Sequence, residues 1–285
     1  MTVNSQKREK MTLPELQKMK KSGRKITMLS IPDYPLALLA EKAGLDTILV
    51  GDSLAMTVLG YETTIPVTMD EMIHHTKAVT RATNYAFVVG DMPFMSNSIS
   101  ERDAIINAGR FMQEGGTDAV KVEGGLDAVP VIKAISATGI PVMGHIGLTP
   151  QHISMLGGFK AQGRDAQTAI KIINDALEVE KAGAFAIVIE AIPYELGKLV
   201  TERLSIPTIG IGAGPDCDGE IQVLHDIAGW NLDFLPRHSK RFGDSAKATT
   251  YIAEQYIEAV QQKDFPTKRN SFQMPQDIIA RLDSN

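Results

Sequence analysis

Cysteine is almost absent: Cys217 stands alone among 285 residues. A single thiol excludes an intrachain disulfide and any cysteine-built zinc cluster, and it fits a reducing compartment. Long apolar runs are missing too, since none reaches the roughly 18 residues that a membrane-spanning helix needs. The opening MTVNSQKREKM is basic and polar and leads into no apolar stretch, so no secretory signal is expected and a cytoplasmic location is the default. Nor is positive charge concentrated. The net charge is -5 with both signs interspersed, which leaves no polybasic footprint for nucleic acid, and the basic stretch from Lys7 to Lys25 reads as a solvated helix face. What remains is an ordinary globular composition, 44% hydrophobic and 22% charged, in a chain long enough for one large core.

What is present is one event repeated. Ile48-Leu49-Val50 is too short and apolar for a helix, stops on Gly51, and then presents Asp52 and Ser53. The same happens at Phe87-Val88-Val89-Gly90-Asp91, at Ala119 to Glu123, at Val142-Met143-Gly144-His145 and at Ala186 to Glu190. Each is an apolar strand with a polar residue at its carboxyl end.

Amphipathic helices lie between these strands. Thr12 and Glu15 have capping-box spacing before Leu13, Leu16 and Met19, which predicts a leading helix over about 12–22. Ile26 to Leu29 reads as the first strand. Pro35 to Ala43 reads as a helix with Leu36, Leu39, Ala40 and Ala43 on one face and Gly44 as its left-handed cap. Ser98 and Glu101 open a helix burying Ala104, Ile105, Ala108, Phe111 and Met112, and Ala166, Ile170, Ile173 and Leu177 line another. Seven strands are clear, the last from Thr208 to Ile211, and a weak eighth lies near Ile221 to Leu224. Alternating strand and helix with near-continuous apolar strands predicts a parallel sheet wrapped by helices, and so many polar strand ends favour a closed (β/α)8 TIM barrel over an open sheet. The whole of 1–285 reads as one domain, with a late helix around Ala246 to Val260 and a loose tail over about 262–285.

The strand ends carry the candidate chemistry. Asp52, Asp91 and Glu123 form an all-oxygen set suited to Mg2+ in a partly open sphere, although each aspartate also reads as a cap for the turn after it. Lys121 and Glu123 alternate about Val122, which turns both inward as a functional pair or a structural ion pair. His145 ends its strand between glycines, as a catalyst or a hydrogen-bonded histidine. Glu190 ends an apolar strand that would raise its pKa toward a general base, or it anchors a loop. Ser53 lacks a nucleophile-elbow context, and its hydroxyl or N–H is better placed to hold a substrate carboxylate. Gly210 to Gly214 fails the dinucleotide fingerprint because Pro215 stands where the third glycine belongs, so it is read as a tight turn or a close backbone approach to a ligand. The stretch from Gly147 to Arg164 has no strong periodicity and reads as a lid or binding loop.

These motifs resemble the ketopantoate hydroxymethyltransferase family, of the phosphoenolpyruvate mutase and isocitrate lyase superfamily of barrels. The likeness runs from about Leu16 to Phe272. It is carried by Val50-Gly51-Asp52-Ser53-Leu54, Ile65-Pro66-Val67-Thr68, Gly90-Asp91-Met92-Pro93-Phe94, Val120-Lys121-Val122-Glu123-Gly124-Gly125, Gly144-His145-Ile146-Gly147-Leu148-Thr149-Pro150-Gln151, Gly157-Gly158-Phe159-Lys160 and Ile209-Gly210-Ile211-Gly212-Ala213-Gly214. The resemblance implies transfer of a hydroxymethyl group from 5,10-methylenetetrahydrofolate to 3-methyl-2-oxobutanoate, giving 2-dehydropantoate on the route to pantothenate. It implies Asp52 and Asp91 as Mg2+ ligands, Glu123 direct or through water, and Glu190 as the base. Ser53 and Lys121 would hold the substrate carboxylate or enolate oxygen, with His145 beside them, in a homo-oligomer that is typically a decamer.

Three departures bear on the acceptor pocket. The family's Thr-Ala-Tyr-Asp-Tyr is here Ser30-Ile31-Pro32-Asp33-Tyr34, its Gly-Asp-Ser-Leu-Gly-Met ends with Ala55-Met56, and its Pro-Lys-Phe is Pro236-Arg237-His238. They leave open a paralogue acting on another 2-oxo acid, or a Mg2+-dependent 2-oxo acid lyase without folate. A non-catalytic scaffold is the reading that Asp52, Asp91, Glu123 and Glu190 together oppose.

Overall fold

A computed structural model describes residues 8–156, 158, 160–231 and 234–282. The apolar segments form eight parallel strands: β1 (Ile26–Ser30), β2 (Thr47–Val50), β3 (Phe87–Asp91), β4 (Ala119–Glu123), β5 (Val142–Gly147), β6 (Ala186–Glu190), β7 (Thr208–Ile211) and β8 (Gly219–Val223). Each pairs with its neighbours in sequence, and β8 pairs with β1, so the sheet closes into the expected (β/α)8 barrel. Parallel pairing requires crossovers, which the helices supply on the outside. The eighth strand starts two residues before the expected position, and Leu224 already opens the helical turn Leu224–Ile227. Its exposed Glu220 between buried Gly219 and Ile221 broke the apolar run that marked the other strands.

Period-two alternation divides the core into two layers. Met28, Leu49, Phe87, Val89, Ala119, Met143, Val188, Ile209 and Ile221 cluster inside the barrel. Val50, Val88, Val120, Val122, Ile187 and Ile189 pack outward with the helices. Leu16 and Met19 of the leading helix Leu13–Ser22 join the inner cluster beside Ile26, Phe87 and Phe185, which stand at strand beginnings. That end of the barrel is therefore plugged with apolar side chains. The same alternation places Ser30, Asp91, Lys121, Glu123, His145 and Glu190 on the inner face at the opposite end.

Several local details differ from the expectation. Thr12 stands at the N-cap of the leading helix but its side chain makes no cap bond, and Glu15 pairs with Lys18 instead. Ser100, not Ser98, caps the helix Glu101–Arg110, accepting from the Asp103 N–H at 3.1 Å, while Ser98 donates to Asn97. In the helices Tyr34–Ala43 and Ala166–Lys181 the buried residues are Ala37 and Ala40, and Ile172, Ala176 and Val179, whereas Leu39 and Ile170 are exposed. Of the expected faces, Ala40 is buried and Leu36, Ile173 and Leu177 are partly buried against the same core, so each face is turned by about one position and not lost. The late helix runs Ser245–Gln261 and buries only Ala246, and the tail holds a further helix, Gln276–Leu282, where no order was expected. No described helix is long and apolar enough to cross a membrane.

Candidate active site

The site starts where β2 ends. A Cβ on Gly51 would lie 2.6 Å from Ser30 Oγ and 3.2 Å from Ser53 Oγ, and these two hydroxyls stand 3.1 Å apart. Glycine is thus the residue that lets the ends of β1 and β2 join through a hydroxyl pair. The Asp52 N–H donates to Asp91 Oδ2 at 3.1 Å, tying β2 to β3. In β3 a Cβ on Gly90 would lie 2.3 Å from the Phe111 ring, so the glycine before Asp91 makes room for a fully buried aromatic.

From β4, Lys121 Nζ donates to Asp91 Oδ1 at 2.6 Å and to Glu123 Oε1 at 3.1 Å. From β5, His145 Nδ1 lies 3.0 Å from the same Glu123 oxygen. Its Nε2 lies 3.1 Å from Glu190 Oε2 of β6, at an angle too bent for a well-formed hydrogen bond. The expected residues therefore converge: Asp52, Ser53, Lys121, Glu123, His145 and Glu190 line one cavity of about 1490 Å3, with Asp91 beneath Lys121.

Gln151, from the turn after β5, joins this group. Its Nε2 donates to Asp52 Oδ2 at 3.0 Å and to the Met92 carbonyl at 2.9 Å, and its N–H donates to Glu123 Oε2 at 3.2 Å. The side chain thereby joins the ends of β2 and β3, and the backbone N–H of the same residue ties in the end of β4. It sits in the turn Pro150–His152, followed by the helical turn Ile153–Leu156, within the stretch expected to be an irregular loop. Gly157 and Phe159 of that stretch lie outside the described residues. Strand alternation exposes the inward residues of a strand but says nothing about a turn, so the signal for Gln151 was its place at the end of the motif Gly144 to Gln151.

Burial dominates the electrostatics. It pushes the Asp52 carboxyl well above its ordinary value, and the neighbouring charges of Asp91 and Glu123 add to the effect. Burial also raises Asp91, against the opposing pull of Lys121. Burial alone would discharge Lys121, yet the carboxylates of Asp91 and Glu123 outweigh it and hold the ammonium well above lysine's usual value. Glu123 is driven the other way: burial would raise it, but Lys121 and His145 hold it well below the carboxylate range. Burial likewise opposes charge on His145, but Glu123 prevails and raises it to about 9.

Four carboxylates thus face one lysine and one histidine, and Asp52 and Asp91 bear the strain of unneutralised charge. A divalent cation relieves that strain, so the donor set fits Mg2+. Among the described residues no three His, Cys, Asp or Glu side chains gather closely enough for a protein cage. Glu123, with both oxygens engaged by Lys121, His145 and Gln151, is placed for a water-bridged role.

Of the three departures, Pro236, Arg237 and His238 line the cavity. Pro32 and Ala55 are buried and are not among the described wall residues, and the Pro32 carbonyl lies 2.7 Å from His75 Nδ1. The cavity exceeds the roughly 300–1,000 Å3 of ordinary small-molecule sites, which leaves room for a second substrate beside a small acid.

The family model described as ketopantoate hydroxymethyltransferase matches residues 10–268. A 3-methyl-2-oxobutanoate hydroxymethyltransferase of Moorella thermoacetica is 54% identical over 93% of this chain and 98% of its own length. The protein of that name from Acetivibrio thermocellus is 51% identical over 96% of this chain and 97% of its own. Among solved structures, a phosphonopyruvate hydrolase complexed with oxalate and Mg2+ shares the fold at a TM-score of 0.60 and 13% identity, covering 96% of both chains. A 2,3-dimethylmalate lyase, described as a PEP mutase/isocitrate lyase superfamily member, does so at 0.55 and 13% identity, over 95% of this chain and 92% of its own.

Proposed function

The chain belongs to the ketopantoate hydroxymethyltransferase family, and from that premise we propose that it moves a hydroxymethyl group from 5,10-methylenetetrahydrofolate to 3-methyl-2-oxobutanoate, with Mg2+ as its metal. The observation that carries this reading is the convergence of Asp52, Asp91, Lys121, Glu123, His145 and Glu190 at one end of the barrel, in a cavity large enough for two substrates. When bound by Asp52 and Asp91, Mg2+ supplies the positive charge that favours the enolate of a 2-oxo acid over the ketone.

The protein's own groups do the rest. Glu190 takes the proton from C3 of the acid, and the Lys121 ammonium, charged in place, faces the oxygen on which negative charge develops. Ser53, paired with Ser30, holds the substrate carboxylate. His145, fixed through one ring nitrogen by Glu123, brings its other nitrogen to 3.1 Å from Glu190 and so sets the charge beside the base. Both C–N bonds of the donor's methylene bridge then break: water adds its oxygen to the methylene carbon as the hydroxyl, C3 forms its bond to that carbon, and one proton from water and the proton taken by Glu190 end on the two nitrogens of the departing tetrahydrofolate, leaving 2-dehydropantoate. The enzyme acts in the cytoplasm as a homo-oligomer, a decamer on the family pattern, within pantothenate biosynthesis.

Proton exchange tests the first step alone. In D2O with Mg2+, the C3 proton of 3-methyl-2-oxobutanoate should exchange without folate, chelation of Mg2+ should stop it, and Glu190→Gln should slow it by about 100-fold or more. A Glu190→Gln enzyme that exchanges at the wild-type rate sinks the role given to Glu190. Exchange with another 2-oxo acid in preference would move the reading to a paralogue.

A further inference from the structure

Among the described residues other than glycine, Met95, Lys263 and Ala191 have positive φ, and Ala191, at φ 48, is the one that follows Glu190. It stands where β6 ends and the chain turns out of the barrel. A side chain with a Cβ is crowded in this region, so a left-handed alanine persists only where its surroundings hold it there. Three hydrogen bonds do so. The peptide that joins Glu190 to Ala191 is held from both sides, its carbonyl accepting from the Leu148 N–H at 2.9 Å and its N–H donating to the Ile211 carbonyl at 2.8 Å. Beyond the left-handed turn, the Ala191 carbonyl accepts from the Gln162 N–H at 2.8 Å.

Leu148 and Gln162 are the two ends of the stretch that carries Gln151, and each stands beside a glycine. A Cβ on Gly147, at φ 91, would lie 2.3 Å from the Glu190 carbonyl oxygen. A Cβ on Gly163, at φ 71, would lie 2.6 Å from Leu196 Cδ2 and 2.8 Å from Ile172 Cδ1. One end of the loop is thus pressed onto the end of β6, and the other onto the helices Ala166–Lys181 and Tyr194–Arg203 that flank it. The Leu148 and Ile211 bonds continue the ladders of β6 with β5 and β7, in which Glu190 pairs with Gly147 and Ile211. The Gln162 bond is the one that the sheet does not supply. What a left-handed alanine costs and what one hydrogen bond returns are of the same order, so this bond suffices to decide the conformation of Ala191.

We propose that Ala191 and Gln162 are positioning residues for Glu190: the Gln162 N–H holds Ala191 left-handed, so that the chain leaves the barrel directly after the base and the Glu190 carboxylate stays where His145 Nε2 lies 3.1 Å from it. The inference rests on the reading of Glu190 as the base. Without the clamp Ala191 relaxes out of the left-handed region, and the peptide after Glu190 turns with it. A base must come within hydrogen-bond reach of the proton it takes, so a small displacement slows proton transfer far more than it weakens binding of the acid.

The test is the folate-free exchange of the C3 proton of 3-methyl-2-oxobutanoate in D2O with Mg2+, read as kcat and KM in the full-length enzyme. Gln162→Pro removes the N–H and should lower kcat by roughly tenfold or more, with KM within about twofold of wild type. Gln162→Ala, the conservative change that keeps the N–H, should bring kcat back to within about twofold. Glycine is left-handed without a clamp, so adding Ala191→Gly to Gln162→Pro should recover most of the lost rate. Ala191→Val, whose branched side chain resists positive φ, should lower kcat with the clamp intact. A Gln162→Pro or Ala191→Val enzyme that exchanges at the wild-type rate overturns the proposal. So does a loss in Gln162→Pro that Ala191→Gly leaves unrepaired, since the bond would then only tether the loop. Glu190→Gln exchanging at the wild-type rate would instead overturn the reading of Glu190 as the base, and the positioning role with it.

Discussion

Lys121 is the residue on which the site's charge balance turns. It is buried, it bridges Asp91 and Glu123, and both partners are buried as well. Removing one member of a buried ionic set leaves the others uncompensated, at about 3–5 kcal/mol. Lys121→Met should therefore lower the stability to urea by that order, measured without Mg2+, and the second change Asp91→Asn should restore part of it. A stability unchanged by Lys121→Met would mean that Asp91 is already protonated. At this scale much of the site was legible: alternation along β4 turned Lys121 and Glu123 inward, and Gly51 and Gly90 marked the strand ends. Gln151 was not legible, because its three hydrogen bonds reach Asp52, Met92 and Glu123 on three separate strand ends.

Strands were easier to read than helix faces. Seven of the eight strands were legible from short, mostly apolar segments, even where Thr27 or Lys121 interrupts the run; β8, with exposed Glu220 near its start and a half-buried end, was the weak one. Helix faces were shifted where alanine rather than leucine meets the sheet, as Ala37 and Ala40 do. Caps depend on local geometry and were mixed. The helix Met69–Ala82 has a complete capping box, the Thr68 hydroxyl accepting from the Glu71 N–H at 3.3 Å and the Glu71 side chain accepting from the Thr68 N–H at 2.8 Å. Thr68→Ala should cost about 1 kcal/mol in a thermal or urea unfolding experiment, and Thr68→Ser should recover most of it. At the leading helix, where Thr12 makes no side-chain bond, the matching Thr12→Ala change should cost much less.

At the scale of the whole molecule the described surface is incomplete. The helix Ser245–Gln261 exposes Tyr251, Ile252, Tyr256, Ile257 and Val260, and the helix Gln276–Leu282 exposes Ile278, Ile279 and Leu282. Exposed apolar residues in this density are what an association between copies would cover. Light scattering should give a mass that is a multiple of 30.9 kDa, ten copies on the family pattern, and Ile252→Asp with Tyr256→Asp should reduce it. A monomeric wild type would sink this expectation. The sequence by itself determined the barrel and the polar carboxyl ends of its strands, with Asp52, Asp91, Lys121, Glu123, His145 and Glu190 at them, because strand periodicity is local and a polar residue ending an apolar run is visible in one dimension. Only the tertiary structure decided which donors each carboxylate has and that Gln151 ties three strand ends together. Those facts depend on closing the sheet, which brings to one place residues that the chain keeps far apart.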